Sequence, residues 1–167
     1  MLDATIVRAH QHSVGAQKKP AKTRPSADRA AARRRRLVPE QAGIHAVVDA
    51  LGNPVALSLT PGQAADISQA EPLLEALEPG AVIADKGYDA DALVKTLEER
   101  NITPVIPAKA NREQQRPCDF ALYRERNLVE RFFNKIKHYR AIATRFDKLA
   151  STFLAGVMLV RVILWLN

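Results

Sequence analysis

Residues 123–137 read Tyr-Arg-Glu-Arg-Asn-Leu-Val-Glu-Arg-Phe-Phe-Asn-Lys-Ile-Lys. On a helix turning about 100° per residue, Tyr123, Arg126, Glu130 and Lys137 fall within roughly 60° of one another. Leu128, Phe132 and Ile136 gather on the opposite side, with Val129 and Phe133 flanking them. One stripe of the helix is therefore built for burial. The other offers a phenol, two cations and one carboxylate. A lone carboxylate among cations suits a place where a metal ion meets a phosphate. The competing reading is a solvated helix face with ordinary ion pairs, and the spacing Tyr-x2-Arg-x3-Glu-x6-Lys argues against it.

The rest of the chain limits the fold. Its 167 residues suit a single domain spanning 1–167 with a real core. Apolar residues make up 47%, as in globular proteins. The one cysteine, Cys118, excludes an internal disulfide and a cysteine-rich zinc site, and it fits a reducing cytosol. Residues 1–10 lack the basic start and apolar run of a secretory signal. Phe153–Leu166 is the longest apolar stretch, but it carries Arg161 and falls short of the roughly 20 residues a membrane span needs. A buried C-terminal packing helix over 147–166 is expected instead.

Charge is unevenly placed. The net charge is +7. Residues 1–40 hold ten Lys or Arg against three Asp or Glu, whereas residues 41–167 hold fifteen of each. A second local excess lies at 109–140, with nine basic and four acidic residues. Both surfaces suit a phosphate backbone. Simple solubility would not require Arg33-Arg34-Arg35-Arg36.

Pattern then gives the elements. Leu2–Ala9 reads as a strand with Asp3 near its start. Residues 11–43 form a basic, irregular and flexible insertion, with a short Ala/Arg helix at 27–36. Ile44–Asp49 and Val55–Thr60 are strands joined by a hairpin turn in which Asp49 is a turn residue. Asp66–Leu77 is a helix capped by Asp66. Ala81–Ala84 is a short strand running into Asp85. Asp89 caps a helix over 90–100, and Thr103–Pro107 is a further strand. A helix from Phe120 to Tyr139 and the C-terminal helix complete the chain. Three strands and then alternating helix and strand give an α/β fold with a mixed five-stranded sheet flanked by helices. That order matches the ribonuclease H-like fold.

The four-point spacing resembles the signature around the third acidic residue of DDE-type bacterial insertion-sequence transposases. The surrounding "YRERNLVERFFNKIKHYRAIATRFDK" is similar to the insertion-sequence-five group of that superfamily. The resemblance covers about 44–167 and 1–12, and it lapses between about 27 and 43. It implies the same ribonuclease H-like fold. It also implies that Asp3 from "LDATIVRAH", Asp85 from "VIADKGYDA" and Glu130 form the catalytic triad.

Three carboxylates are what two-metal phosphodiester chemistry needs. Two divalent ions about 4 Å apart can activate the attacking oxygen and stabilise the leaving one. Mg²⁺ is a hard ion that prefers carboxylate and water oxygens, and Mn²⁺ is expected to substitute. Each acid alone has a plainer explanation: a strand terminus for Asp3, a turn for Asp85, an ion pair for Glu130. The resemblance further implies that Tyr123, Arg126 and Lys137 hold DNA backbone. Lys86 and Tyr88, beside Asp85, either face DNA or build a turn. His10, His12 and His45 lack zinc spacing and are expected near DNA or at the surface.

The expected function is cleavage of DNA at transposon ends and strand transfer into target DNA. Two rivals remain: a nuclease of the same fold that only hydrolyses, and an inactive DNA-binding remnant that regulates an intact transposase. The chain opens on the first catalytic strand where relatives carry a further amino-terminal region. This fits a truncated copy, or a second reading frame whose partner is a separate N-terminal product. The divergent 27–43 patch is expected to shorten the second strand and join it poorly to the first. Self-association on DNA and a cytoplasmic, nucleoid-associated location complete the expectation.

Overall fold

The computed structural model describes residues 1–8, 41–61, 65–145, 147 and 149–166. The readings made for Arg33–Arg36, the Ala/Arg helix, His10 and His12 lie outside these residues.

Strands β1 (Leu2–Arg8), β2 (Gln41–Val48) and β3 (Pro54–Pro61) form an antiparallel sheet in that order. All of β1 pairs with β2, from Leu2↔Val47 to Arg8↔Gln41. The expected shortening of β2 and loose junction to β1 are therefore corrected: β2 starts at Gln41, inside the divergent patch. Residues 42–48 are all buried, because both sheet faces are covered. Ile44, Ala46 and Val48 pack into one cluster, and Val47 joins Leu2 in another. Gly43 fits this central strand because a Cβ there would sit 2.9 Å from Thr60 Oγ1 and 3.2 Å from His45 Nε2. The β2–β3 turn is tied as expected: Asp49 Oδ1 accepts from the amides of Leu51 (2.9 Å) and Asn53 (2.8 Å), and Gly52 takes φ 84°.

A second sheet pairs β4 (Ala81–Ile83) in parallel with β5 (Thr103–Val105), with helix α2 (Asp91–Glu99) as the crossover between them. The expected continuous five-stranded sheet is thus two sheets of three and two strands. One parallel bridge, Leu2↔Ala84, joins them. The reason is local. β4 is three residues long, and Asp85 at once leads the backbone into a 3-10 turn, Lys86–Tyr88.

The helix expected over Asp66–Leu77 is a 3-10 turn (Asp66–Gln69) followed by the short α1 (Ala70–Leu74). Arg100 ties down the chain at and just past its end, donating to Leu74 O (3.1 Å) and Leu77 O (2.6 Å). Asp66 does not cap: the cap is Ala65, without a side-chain hydrogen bond.

The helix expected over Phe120–Tyr139 is also divided. α3 (Phe120–Tyr123) is capped by Asp119, whose Oδ1 accepts from the amides of Ala121 (2.9 Å) and Leu122 (3.0 Å). A 3-10 turn (Arg124–Arg126) precedes α4 (Asn127–Lys137). The apolar stripe of α4 behaves as its spacing predicts. Val129, Phe132, Phe133 and Ile136 are buried against β2. α5 (Arg140–Ala143) and α6 (Ala150–Leu166) follow.

α6 is buried on one face only. Phe153, Val157 and Val160 join the core, whereas Leu159 and Val162 stay 63% and 52% exposed. Arg161, the charge within the apolar run, donates to Val55 O of β3 at 3.0 Å, and Trp165 Nε1 donates to Pro54 O at 3.0 Å. Among the described residues no helix is long and apolar enough to cross a membrane.

Because the α4 stripe fixes the helix to the sheet, Phe132→Ala is expected to lower unfolding free energy by about 3–5 kcal/mol in denaturant titration. A loss under about 1 kcal/mol would mean that the ring is not a packing anchor.

Candidate active site

β1 sends Asp3 to the sheet face covered by α4, opposite the face that holds Leu2 and Val47. Its carboxylate is 19% exposed. Oδ1 accepts the amide of Ala4 at 2.8 Å, and Oδ2 accepts Arg126 Nη1 at 2.9 Å. The other terminal nitrogen of Arg126, Nη2, donates to Glu130 Oε1 one helical turn on. One guanidinium therefore joins two acids that lie far apart in the chain.

The 3-10 turn explains how Arg126 gets there. Residues three apart eclipse in such a turn. Arg126 accordingly stacks with its Cζ 5.9 Å from the centre of the Tyr123 ring. Asp85 arrives from the other direction. The bridge Leu2↔Ala84 brings the next residues, Asp3 and Asp85, close enough for the charge of Asp85 to act on Asp3. Asp85 Oδ1 accepts the amide of Gly87 at 2.8 Å. A Cβ on Gly87 would lie 2.8 Å from the same oxygen, so a larger residue there would push the Asp85 carboxylate aside.

Electrostatics registers the gathering. Burial pushes the Asp3 carboxyl above the usual carboxylate range, and the charges of Asp85 and Glu130 push the same way; the Ala4 amide and Arg126 only partly oppose them. Burial works against the Arg126 charge, yet Asp3, Tyr123, Glu130 and Asp85 together raise its pKa. Burial, with Asp85, also raises Tyr123 against the pull of Arg126. Asp3 thus feels the charges of both Asp85 and Glu130, with Arg126 opposing them. All three acids offer hard oxygen donors, which suit a divalent ion. As the side chains stand, no group of three His, Cys, Asp or Glu among the described residues is disposed to hold a metal.

Other expected site residues divide. Lys86 and Lys137 are exposed. Tyr88 is corrected: it is 1% exposed in the core, so the turn it builds accounts for it and a DNA-facing position does not. His45 is corrected too. It is fully buried, with Nε2 2.7 Å from Thr60 Oγ1 and Nδ1 3.8 Å from Asp66 Oδ1. It lies on the covered face of β2 that Val47 shares, which is why it cannot lie at the surface. Burial lowers its pKa despite Asp66.

One network escaped the sequence reading. Asp89 does not cap α2, whose cap is Ala90. It is buried and accepts the Lys109 amide (2.8 Å), Arg112 Nε (3.0 Å) and Arg116 Nη1 (3.0 Å). Burial would raise this carboxyl, but these donors outweigh it and hold it below the usual range. Asp91 takes the remaining ends of both arginines. The turn after Asp85 is thereby tied to the loop that leads into α3. The visible signal was Asp89/Asp91 matched by Arg112/Arg116, two close pairs of opposite sign.

Residues 1–165 match the model of the transposase DDE domain. The chain belongs to the DDE transposases of insertion sequences. It is 42% identical over 127 residues to a candidate transposase of insertion sequence element IS6501 from Brucella ovis, covering 74% of this chain and 97% of that protein. It is 33% identical over 118 residues to a candidate transposase of element IS402 from Burkholderia cepacia, covering 64% of this chain and 54% of that protein. The transposase chain thus spans about half the length of the second relative. No solved structure matches it.

The raised Asp3 gives this transposase a testable pH signature. A carboxyl whose folded pKa exceeds its unfolded one weakens the fold wherever it is ionised. The penalty is complete above the folded pKa and vanishes below the unfolded value of about 3.9. Asp3→Asn is therefore expected to raise the melting temperature at pH 7 and to leave it unchanged near pH 3. Melting curves showing a loss at pH 7 would contradict the assignment.

Proposed function

We infer that this chain is the catalytic portion of a DNA transposase with a ribonuclease H-like arrangement. It nicks phosphodiesters at the ends of its element, and the freed 3′ hydroxyl attacks a target phosphodiester, forming a new P–O bond as the target strand's own 3′ oxygen leaves. The observation that carries this reading is the guanidinium of Arg126 shared by Asp3 and Glu130, with Asp85 set beside Asp3 by the Leu2↔Ala84 bridge. The antiparallel β1-β2-β3 meander, bridged to a parallel β4–β5 pair, supports the fold.

Asp3, Asp85 and Glu130 would hold Mg²⁺, or Mn²⁺ in its place. When bound, such ions supply activation of the attacking oxygen and stabilisation of the leaving one. The chain's own residues do the rest. The carboxylates fix where the scissile phosphate must sit. Tyr123, Arg126 and Lys137 line one side of the α3–α4 segment, with Lys86 near Asp85, and supply cations and a ring for the DNA backbone. Transposon ends and target DNA are the proposed partners. Self-association on DNA and a separate amino-terminal product belong to the same reading.

The test is strand transfer by the purified chain with Mg²⁺ and DNA carrying an element end. Glu130→Gln, folded as judged by circular dichroism, is expected to lose activity by about 100-fold or more. Full activity in that variant would remove Glu130 from the site. Free nicks without joined strands would favour a hydrolytic nuclease. Salt-dependent DNA binding with no metal-dependent cleavage would favour a regulatory remnant.

A further inference from the structure

Arg126 stands where a cation is needed. Both oxygens of Asp3 are engaged, Oδ1 by the Ala4 amide and Oδ2 by Arg126 at 2.9 Å. The Glu130 oxygen nearest to Asp3's partner is taken by the same guanidinium. A carboxylate oxygen can accept more than one hydrogen bond, but a guanidinium and a divalent ion repel each other across such short distances. They therefore compete for the same two acids. Without either cation, Asp3 and Glu130 would face each other and Asp85 unscreened.

We propose that Arg126 is a positioning residue that serves as the built-in counter-cation of the acidic site, holding Asp3 and Glu130 together until a divalent ion displaces it. This rests on the metal-binding reading above and adds a role for Arg126 before DNA arrives. The displaced guanidinium has a place to go. It already lies 5.9 Å from the Tyr123 ring centre, and its side chain is 23% exposed. A pivot over that ring keeps the charge stabilised and turns it outward to a phosphate. The exchange favours the acids: a single positive charge leaves the carboxylates as a double one enters. Competition of this kind is reciprocal, so weakening the arginine's hold must strengthen the ion's.

The test is Mn²⁺ titration of the full chain without DNA, with free ion measured by electron paramagnetic resonance. Arg126→Met keeps an unbranched stem and removes the charged head. It is expected to bind Mn²⁺ about tenfold more tightly than the wild type. Its metal-free melting temperature should fall, and Mn²⁺ should raise it by more than in the wild type. Arg126→Lys, whose ammonium lacks the fork that spans two carboxylates, should bind with intermediate affinity, and it stands in should the methionine variant fail to fold. Equal or weaker Mn²⁺ binding by the variants, with the wild type binding, overturns the competition. No Mn²⁺ binding by any form at millimolar ion overturns the metal-site reading itself.

Discussion

A single guanidinium shared by acids 127 positions apart in sequence number (Asp3 and Glu130) governs the architecture. Like charges brought together out of water resist ionisation unless a cation answers them. Each surrounding element serves to deliver one party to that meeting. β1 brings Asp3 because its whole length is paired to a strand buried on both faces. α4 brings Glu130 because its apolar stripe locks against the sheet and leaves the opposite side free. The 3-10 turn before α4 brings Arg126 by stacking it over Tyr123.

Asp85 depends on a different device. β4 is too short to complete a wide sheet, and its one bridge to β1 is enough to set Asp85 beside Asp3. The turn beyond is then held from two sides. Gly87 allows the close approach of the Asp85 carboxylate, and Asp89 anchors the loop over Lys109–Arg116 that runs on to α3. The region is held by ion pairs and hydrogen bonds where the rest of the fold relies on apolar packing. The raised Asp3 shows the tension that results. A site crowded with acids weakens the fold that carries it, as is usual where chemistry is prepared in advance.

Much of this was legible in the sequence, for identifiable reasons. The β2–β3 hairpin announced itself through two apolar runs joined by a turn with Asp49 and Gly52. The stripe on α4 announced itself through helical spacing. The position of Asp85 at the end of a short apolar strand was equally plain. What escaped was whatever depended on contacts between distant segments. His45 looks like a surface residue until β2 is known to be covered on both faces. Tyr88 looks like a DNA-facing neighbour of Asp85, yet its ring is packed into the core. Asp66 and Asp89 both resemble helix caps, because a cap is the local use of such a residue. Their actual neighbours, the His45 ring 3.8 Å from Asp66 and Arg112 with Arg116 paired to Asp89, are reached only through tertiary folding. The break before α4 has no proline or glycine to signal it. The gap in family resemblance at 27–43 also misleads at its end, since β2 already runs through residues 41–43.

The central claim is that Asp3, Asp85 and Glu130 form one cation site. Crystals of the full chain grown with Mn²⁺ test it most directly through the anomalous scattering of the ion. The account predicts a peak bounded by carboxylate oxygens of these three residues at about 2.1 Å, with the Arg126 guanidinium turned away. A peak ligated elsewhere, or Arg126 still seated between Asp3 and Glu130 with the ion bound, would contradict it.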